Sequence, residues 1–227
     1  MKELYFISGL GADERVFQAL KFEGYQPKHI HWVKPEPRET IEHYAQRLTQ
    51  QIAGEKPILV GLSFGGMMAI EISKLIATEK VILISSAESK SEIPPYYRFF
   101  KWLPLHRLVP LKIITWVGFY VACWWFGTSS KSERVLLKQI LLDTDNDFFR
   151  WAIDQALTWE NDTSPLDVYH IHGSADRVLP IRYTQPDVRV EQGGHFMVLN
   201  KAEQLLPILE QVISLERAST SPRSSPG

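Results

Sequence analysis

The stretch Gly61-Leu62-Ser63-Phe64-Gly65-Gly66 sets one hydroxyl between glycines, where the apolar run Ile58-Leu59-Val60 gives way to a small-residue helical pattern. A serine on such a strand-to-helix turn is forced into a strained backbone conformation, and glycines two residues to either side remove the clashes. Its Oγ then stands above the strand edge at a helix N-terminus, where developing negative charge is favoured. Ser63 is therefore the candidate nucleophile; the alternative is a glycine-rich turn without chemistry.

A serine hydroxyl is a poor nucleophile without a base. The chain holds seven histidines. His29, His31 and His43 fall in or beside an early strand and helix, and His106 lies in an aromatic-rich middle region. His170 and His172 belong to a strand ending at Gly173, where structural roles are expected. His195 differs, because Gly193-Gly194 precede it at a strand end and Phe196-Met197-Val198 lead into the closing helix. A histidine on such a loop can reach a serine at the same sheet edge.

The base in turn needs an acid to hold its tautomer and stabilise the imidazolium. Asp176 lies in the turn Gly173-Ser174-Ala175-Asp176, at the carboxyl edge where open α/β sheets bind ligands. It could instead cap the short helix that begins there. Glu88, just past the fourth strand, is the rival acid, whereas Asp162 and Asp167 precede their strand. Oxyanion donors are expected from the backbone N–H of Phe64 and, in the loop Ser8-Gly9-Leu10-Gly11, from that of Leu10.

These residues need elements to position them. Strands are expected at 4–8, 29–33, 57–62, 81–85, 168–172 and 188–191, and helices at 13–20, 40–52, 64–76 and 198–215. Alternation of strands with helices implies parallel pairing through right-handed crossovers, hence an α/β sheet. Between Glu88 and Asn161 the alternation stops and aromatics accumulate, among them Tyr96, Tyr97, Trp102, Trp116, Trp124 and Trp125. The expected division is a core of 1–87 and 162–216, a helical insertion over 88–161, and a flexible Ser/Pro-rich tail over 217–227. The uncharged run Ile113 to Gly127 is shorter than the ~20 residues a bilayer span requires. It reads as a buried or site-lining helix, with peripheral membrane contact as the alternative.

Bulk properties narrow the partners. With 227 residues, 44% hydrophobic and a formal net charge of -1, the chain is globular, and its net charge offers no reason to expect nucleic acid or an anionic membrane. A single cysteine, Cys123, excludes an internal disulfide and a zinc–thiolate cluster. The first residues lead into a strand-like run rather than a secretory signal, so the expected compartment is the cytoplasm.

The order Ser63, Asp176, His195 resembles that of α/β-hydrolase-fold enzymes. Gly61-Leu62-Ser63-Phe64-Gly65 is similar to the family's nucleophile elbow, Gly173-Ser174-Ala175-Asp176 to its acid turn, and Gly194-His195-Phe196 to its histidine loop. Ser8-Gly9-Leu10-Gly11 is similar to its oxyanion loop, with Ser8 where histidine is common. The first strand here leads straight into that loop. The resemblance therefore implies a mostly parallel sheet of about six strands, lacking the two strands that usually come first, and a helical cap over 88–161. It implies a serine hydrolase acting on a carboxylic ester or related acyl compound with a hydrophobic part, without cofactor or metal. Thioesters, amides, lactones and activated C–C bonds are alternatives, as is a non-hydrolytic small-molecule binder.

Overall fold

The computed structural model describes residues 3–22, 24–97, 111–163, 165 and 167–215, with the backbone alone for 111–117. His106, Phe99, Phe100, Trp102 and the tail 217–227 lie outside the described residues, and Trp116 is described by its backbone alone.

Six strands form one sheet: β1 (Leu4–Ile7), β2 (Lys28–Ile30), β3 (Ile58–Leu62), β4 (Lys80–Ile84), β5 (Val168–Gly173) and β6 (Val188–Val190). Their order is β2-β1-β3-β4-β5-β6, and every neighbouring pair is parallel. β1, β3 and β4 are buried along their whole length, which explains why each reads as an unbroken run rather than as an alternation.

The pleat sorts that run into two cores. Leu4, Phe6, Val60 and Ile82 face one side of the sheet, against α6 (Met197–Asn200) and α7 (Ala202–Ser214). Tyr5, Ile7, Leu59 and Val81 face the other, against α1 (Ile41–Leu48) and α2 (Phe64–Ser73). Thr40 caps α1 by accepting from the His43 N–H, and α1 buries Ile41, Tyr44, Ala45 and Leu48. The chain leaves β1 for β2 on one side and returns to β3 on the other. The switch point between β1 and β3 therefore opens a crevice at their carboxyl ends.

Between β4 and β5 stand α3 (Leu111–Phe126), α4 (Lys131–Asp143) and α5 (Asn146–Thr158). Ser130 caps α4 by accepting from the Glu133 N–H, and the Glu133 carboxylate reaches back to accept from the Ser129 N–H, a relative of the capping box. Asp145 caps α5 through the Phe148 N–H. α5 sends Phe148 and Ala152 into the core beside α1 and α2, and its Trp151 indole donates to the Glu39 carbonyl at 2.8 Å.

Two expected helices differ in detail. The segment expected at 13–20 forms only a 3-10 turn, Glu14–Phe17, capped by Asp13, with Val16, Phe17 and Leu20 buried in the core. The closing helix expected at 198–215 is broken at Lys201 (φ -125°) into α6 and α7, which lets the loop around His195 turn before the longer helix packs.

α2 lies hard against β1. A Cβ at Gly65 would collide with the carbonyls of Ile7 and Ser8, and one at Gly66 with the Ser86 side chain. Backbone cannot yield as a flexible side chain does, so overpacking here costs about 3 kcal/mol. Gly65→Ala should therefore lower the thermal midpoint by roughly 6–12 °C, measured by circular dichroism.

Candidate active site

Ser63 precedes α2 with φ 53° and ψ -122°, a positive φ on a residue with a side chain. Such backbone survives only when its surroundings over-determine it. Here the Ser63 N–H donates to the Ile84 carbonyl at 2.9 Å, and the Ser63 carbonyl accepts from Gly66 N–H at 2.8 Å and from Ser86 Oγ at 2.7 Å. Gly61 completes the turn, because a Cβ there would strike the backbone of Gly65 and Gly66.

The structure brings the three expected side chains into one hydrogen-bonded chain. His195 Nε2 lies 2.9 Å from Ser63 Oγ, and its Nδ1 lies 2.8 Å from Asp176 Oδ2. The other Asp176 oxygen accepts from the amides of Val178 at 2.8 Å and Leu179 at 2.9 Å, so the aspartate organises its own turn while facing the histidine. Burial pushes the Asp176 carboxyl up. The charge and hydrogen bond of His195, the neighbouring His172 and the Leu179 amide outweigh this, and hold it below the ordinary carboxylate value. It is therefore ionised at neutral pH.

The loops carrying acid and base are stitched together. Ala175 N–H donates to the Gly193 carbonyl at 2.9 Å, and Ser174 N–H to that of Val190 at 2.9 Å. Gly173 meets Gly193 so closely that a Cβ on Gly173 would fall onto its backbone. The end of α3 holds the histidine from above: Phe196 N–H donates to the Phe126 carbonyl at 3.0 Å, and the Phe126 ring stands edge-on to His195 at 5.5 Å. Glu88, the rival acid, is turned elsewhere, with its carboxylate 3.8 Å from His170 Nδ1.

Gly9 sits 3.4 Å from the Ser63 Cβ, measured from where its own Cβ would be, so the loop after β1 borders the hydroxyl. Ser8 Oγ ties that loop by donating to the Ala12 carbonyl at 2.7 Å, and Thr144 Oγ1 ties it to the end of α4 through the Gly11 carbonyl at 2.7 Å. Among the described residues, neither the Leu10 nor the Phe64 backbone N–H has an acceptor. Both residues line a cavity of about 600 Å³ that also contains Ser63 and His195. The rest of its wall, among the described residues, is apolar and aromatic, with Trp125 and Phe126 from α3 and Leu137 and Ile140 from α4, and no Asp, Glu, Lys or Arg.

A family model described as the alpha/beta hydrolase family matches residues 8–207. The chain belongs to the alpha/beta hydrolase family. No curated protein matches it in sequence. Among solved structures, a carboxylesterase of the thaumarchaeon Nitrososphaera gargenis is similar with a TM-score of 0.73 and 14% identity, over 94% of this chain and 90% of that one. A putative lipase from Acinetobacter baumannii AYE gives 0.71 and 15%, over 94% and 85%. The type II thioesterase BorB from the borrelidin biosynthetic cluster gives 0.62 and 16%, over 93% and 92%. At such identities the likeness is one of fold.

Within this alpha/beta hydrolase the histidines of β5 are more than filling. His172 Nε2 lies 2.7 Å from the Leu179 carbonyl, which can only accept, so that nitrogen carries a hydrogen. The same nitrogen is 3.5 Å from Asp176 Oδ2. Its Nδ1 faces His170 Nε2 at 3.0 Å, and with His172 neutral it accepts from that neighbour. The Leu179 peptide is thus gripped at both ends, its N–H by Asp176 and its carbonyl by His172. Spacing along one strand could not reveal this, because Leu179 returns to the strand only by tertiary folding.

A second cluster, Glu36, Glu39 and His43, gathers ligand-type atoms within 4.8 Å of one another. Glu39 is however already bound by Arg47 at 2.8 Å and His43 at 2.8 Å, so its oxygens serve an ion-pair network.

Burial pushes His172 below the ordinary imidazole value, only partly countered by Asp176 and the Leu179 carbonyl. The unfolded chain therefore binds the proton first. The stability held by neutral His172 is fully present above pH ~6.5, and is lost as pH falls below it, by at most about 1.4 kcal/mol per pH unit. His172→Gln keeps a donor for Leu179 but cannot titrate here. Urea melts should show the wild type losing more stability than this variant between pH 8 and pH 5.

Proposed function

We propose that this alpha/beta hydrolase is a serine hydrolase of carboxylic esters or related acyl compounds with a neutral, hydrophobic part. The observation that carries the reading is the Asp176–His195–Ser63 chain of hydrogen bonds, 2.8 Å and 2.9 Å long, opening into an apolar cavity. In this mechanism Ser63 Oγ attacks the substrate carbonyl while His195 Nε2 takes its proton. Asp176 holds the Nδ1–H tautomer and offsets the imidazolium charge. The N–H groups of Leu10 and Phe64 receive the oxyanion, where preorganised donors act most strongly.

Collapse of the tetrahedral intermediate breaks the ester C–O bond, and His195 returns the proton to the departing alcohol. Water then attacks the acyl-enzyme and gives a proton to His195; collapse breaks the bond from Ser63 Oγ to the acyl carbon, His195 returns the proton to Ser63 Oγ, and the acid leaves. In the same reading, residues 88–161 act as a cap over a core of 1–87 and 162–216. α3, α4 and α5 share the cavity with Ser63, and their apolar side chains limit water at the reacting centre. An epoxide-type reaction is disfavoured because the attacking position holds serine rather than aspartate.

A fluorophosphonate probe should label the wild type and fail to label Ser63→Ala, as read by intact-protein mass spectrometry. Ser63→Ala and His195→Ala should each lower kcat by at least about a thousandfold, and Asp176→Asn by roughly a thousandfold or more. Labelling of Ser63→Ala at the wild-type rate would overturn the assignment.

The cavity wall adds a substrate preference. Each buried methylene is worth about 0.8 kcal/mol, roughly fourfold in kcat/KM. Across a series of p-nitrophenyl esters, hexanoate should therefore exceed acetate by at least roughly tenfold, while a succinate half-ester should be poor. A flat series would remove the hydrophobic part from the reading.

A further inference from the structure

α3 is apolar in a way its position does not require. From Leu111 to Phe126 it holds one charged residue, Lys112. Its inner face is accounted for: Ala122, Trp125 and Phe126 line the cavity, and Cys123 is buried. The opposite face looks into solvent, with Tyr120 78%, Val121 57% and Trp124 61% exposed. Residues spaced by three and four lie together on one helix face, and a helix lying on a water-facing surface normally carries charged or polar residues there. Contiguous exposed apolar side chains of this kind mark an interaction surface.

Charge says what kind of surface it meets. From Ile93 to Ser132 the sequence contains no Asp or Glu, but has Arg98, Lys101, Arg107, Lys112 and Lys131. This stretch is five charges positive in a chain whose net charge is -1, so the remainder of the chain carries -6. At the edge of the exposed face, the Arg177 guanidinium stands 4.5 Å from the Trp124 ring centroid and donates to the Trp124 carbonyl at 2.6 Å. An anionic layer matches the Arg177 cation at that edge and the basic sequence flanking the helix, and Trp and Tyr rings favour the boundary between headgroups and acyl chains.

We infer that the outer face of α3 docks this protein on an anionic lipid surface, with Tyr120, Val121 and Trp124 seated among the headgroups. The 16 residues of α3 measure about 24 Å, short of the ~30 Å of a hydrocarbon core. Among the described residues no helix is long and apolar enough to cross a membrane. The helix lies on the surface rather than through it. Because its inner face lines the cavity, a docked molecule holds the cavity roof against the lipid. The docking rests on the exposed face and the charge distribution, and is independent of the chemistry at Ser63.

The test is co-sedimentation of the full chain with vesicles of phosphatidylcholine, with and without phosphatidylglycerol. Wild type and Ser63→Ala should both sediment with the phosphatidylglycerol vesicles, and at least tenfold less with phosphatidylcholine alone or at high salt. Val121→Asp and Trp124→Ser should each weaken that binding about tenfold, while their turnover of a short water-soluble ester stays at the wild-type level. Equal binding to both vesicle types, no binding, or full binding by both variants would overturn the inference. So would a sedimentation-velocity mass that falls from dimer to monomer on Val121→Asp, which would make the face a contact between copies. An active Ser63→Ala would overturn the proposed chemistry and leave the docking intact.

Discussion

The backbone turn at Ser63 is the constraint around which the rest of the molecule is arranged. A side chain held at φ 53° is disfavoured locally, so it must be kept there by its surroundings. Three glycines let β3, α2 and β1 approach until backbone touches backbone, and the Ile84 carbonyl and Ser86 hydroxyl grip the serine peptide from β4 and its following loop. α2 therefore starts where the strand stops, with the Phe64 N–H, which has no acceptor among the described residues, at the cavity. The close packing of helix on sheet and the presentation of the hydroxyl are one geometric fact.

A second constraint acts at the far side of the site. Asp176 and His195 come from turns after different strands, β5 and β6, and their separation is set by backbone hydrogen bonds between those turns. One carboxylate oxygen is spent on the local turn and the other faces the histidine. Asp176 does not cap the short helix expected there, which begins at Ile181 without a side-chain cap; it holds its own turn while facing His195. His172 adds a donor to the carbonyl of the same residue whose N–H Asp176 holds, which extends the ordered polar network one layer behind the site.

The segment between β4 and β5 has two faces with different duties. Inward, it gives an apolar roof above Ser63 and ties the histidine loop through the Phe126 carbonyl. Outward, α3 meets solvent with aromatic and aliphatic side chains, and the sequence flanking it from Ile93 to Ser132 is basic. Net charge averaged over the whole chain conceals this, because the acidic remainder balances it. The overall figure argued against an anionic surface, and the distribution argues for one.

Much of the fold was legible from the chain because its signals are local. The buried runs of β1, β3 and β4, the Thr40 cap of α1 and the glycines around Ser63 each declare themselves within a few residues. Chain order and sheet edge were enough to nominate Ser63, His195 and Asp176. At 13–20 the apolar spacing suggested a helix, but the segment folds only as the 3-10 turn Glu14–Phe17 while still burying Val16, Phe17 and Leu20. The choice of Asp176 over Glu88 depended on which turn zips to the histidine loop, and the roles of His172, Ser86 and Thr144 depend on partners 7, 23 and 133 residues away. Likewise, composition marked α3 as apolar, but only packing divided it into a face that lines the cavity and a face left to the solvent. Sequence determines which groups are available and how the backbone near them must bend; distances between groups far apart in the chain are set only when the sheet brings its carboxyl edges together.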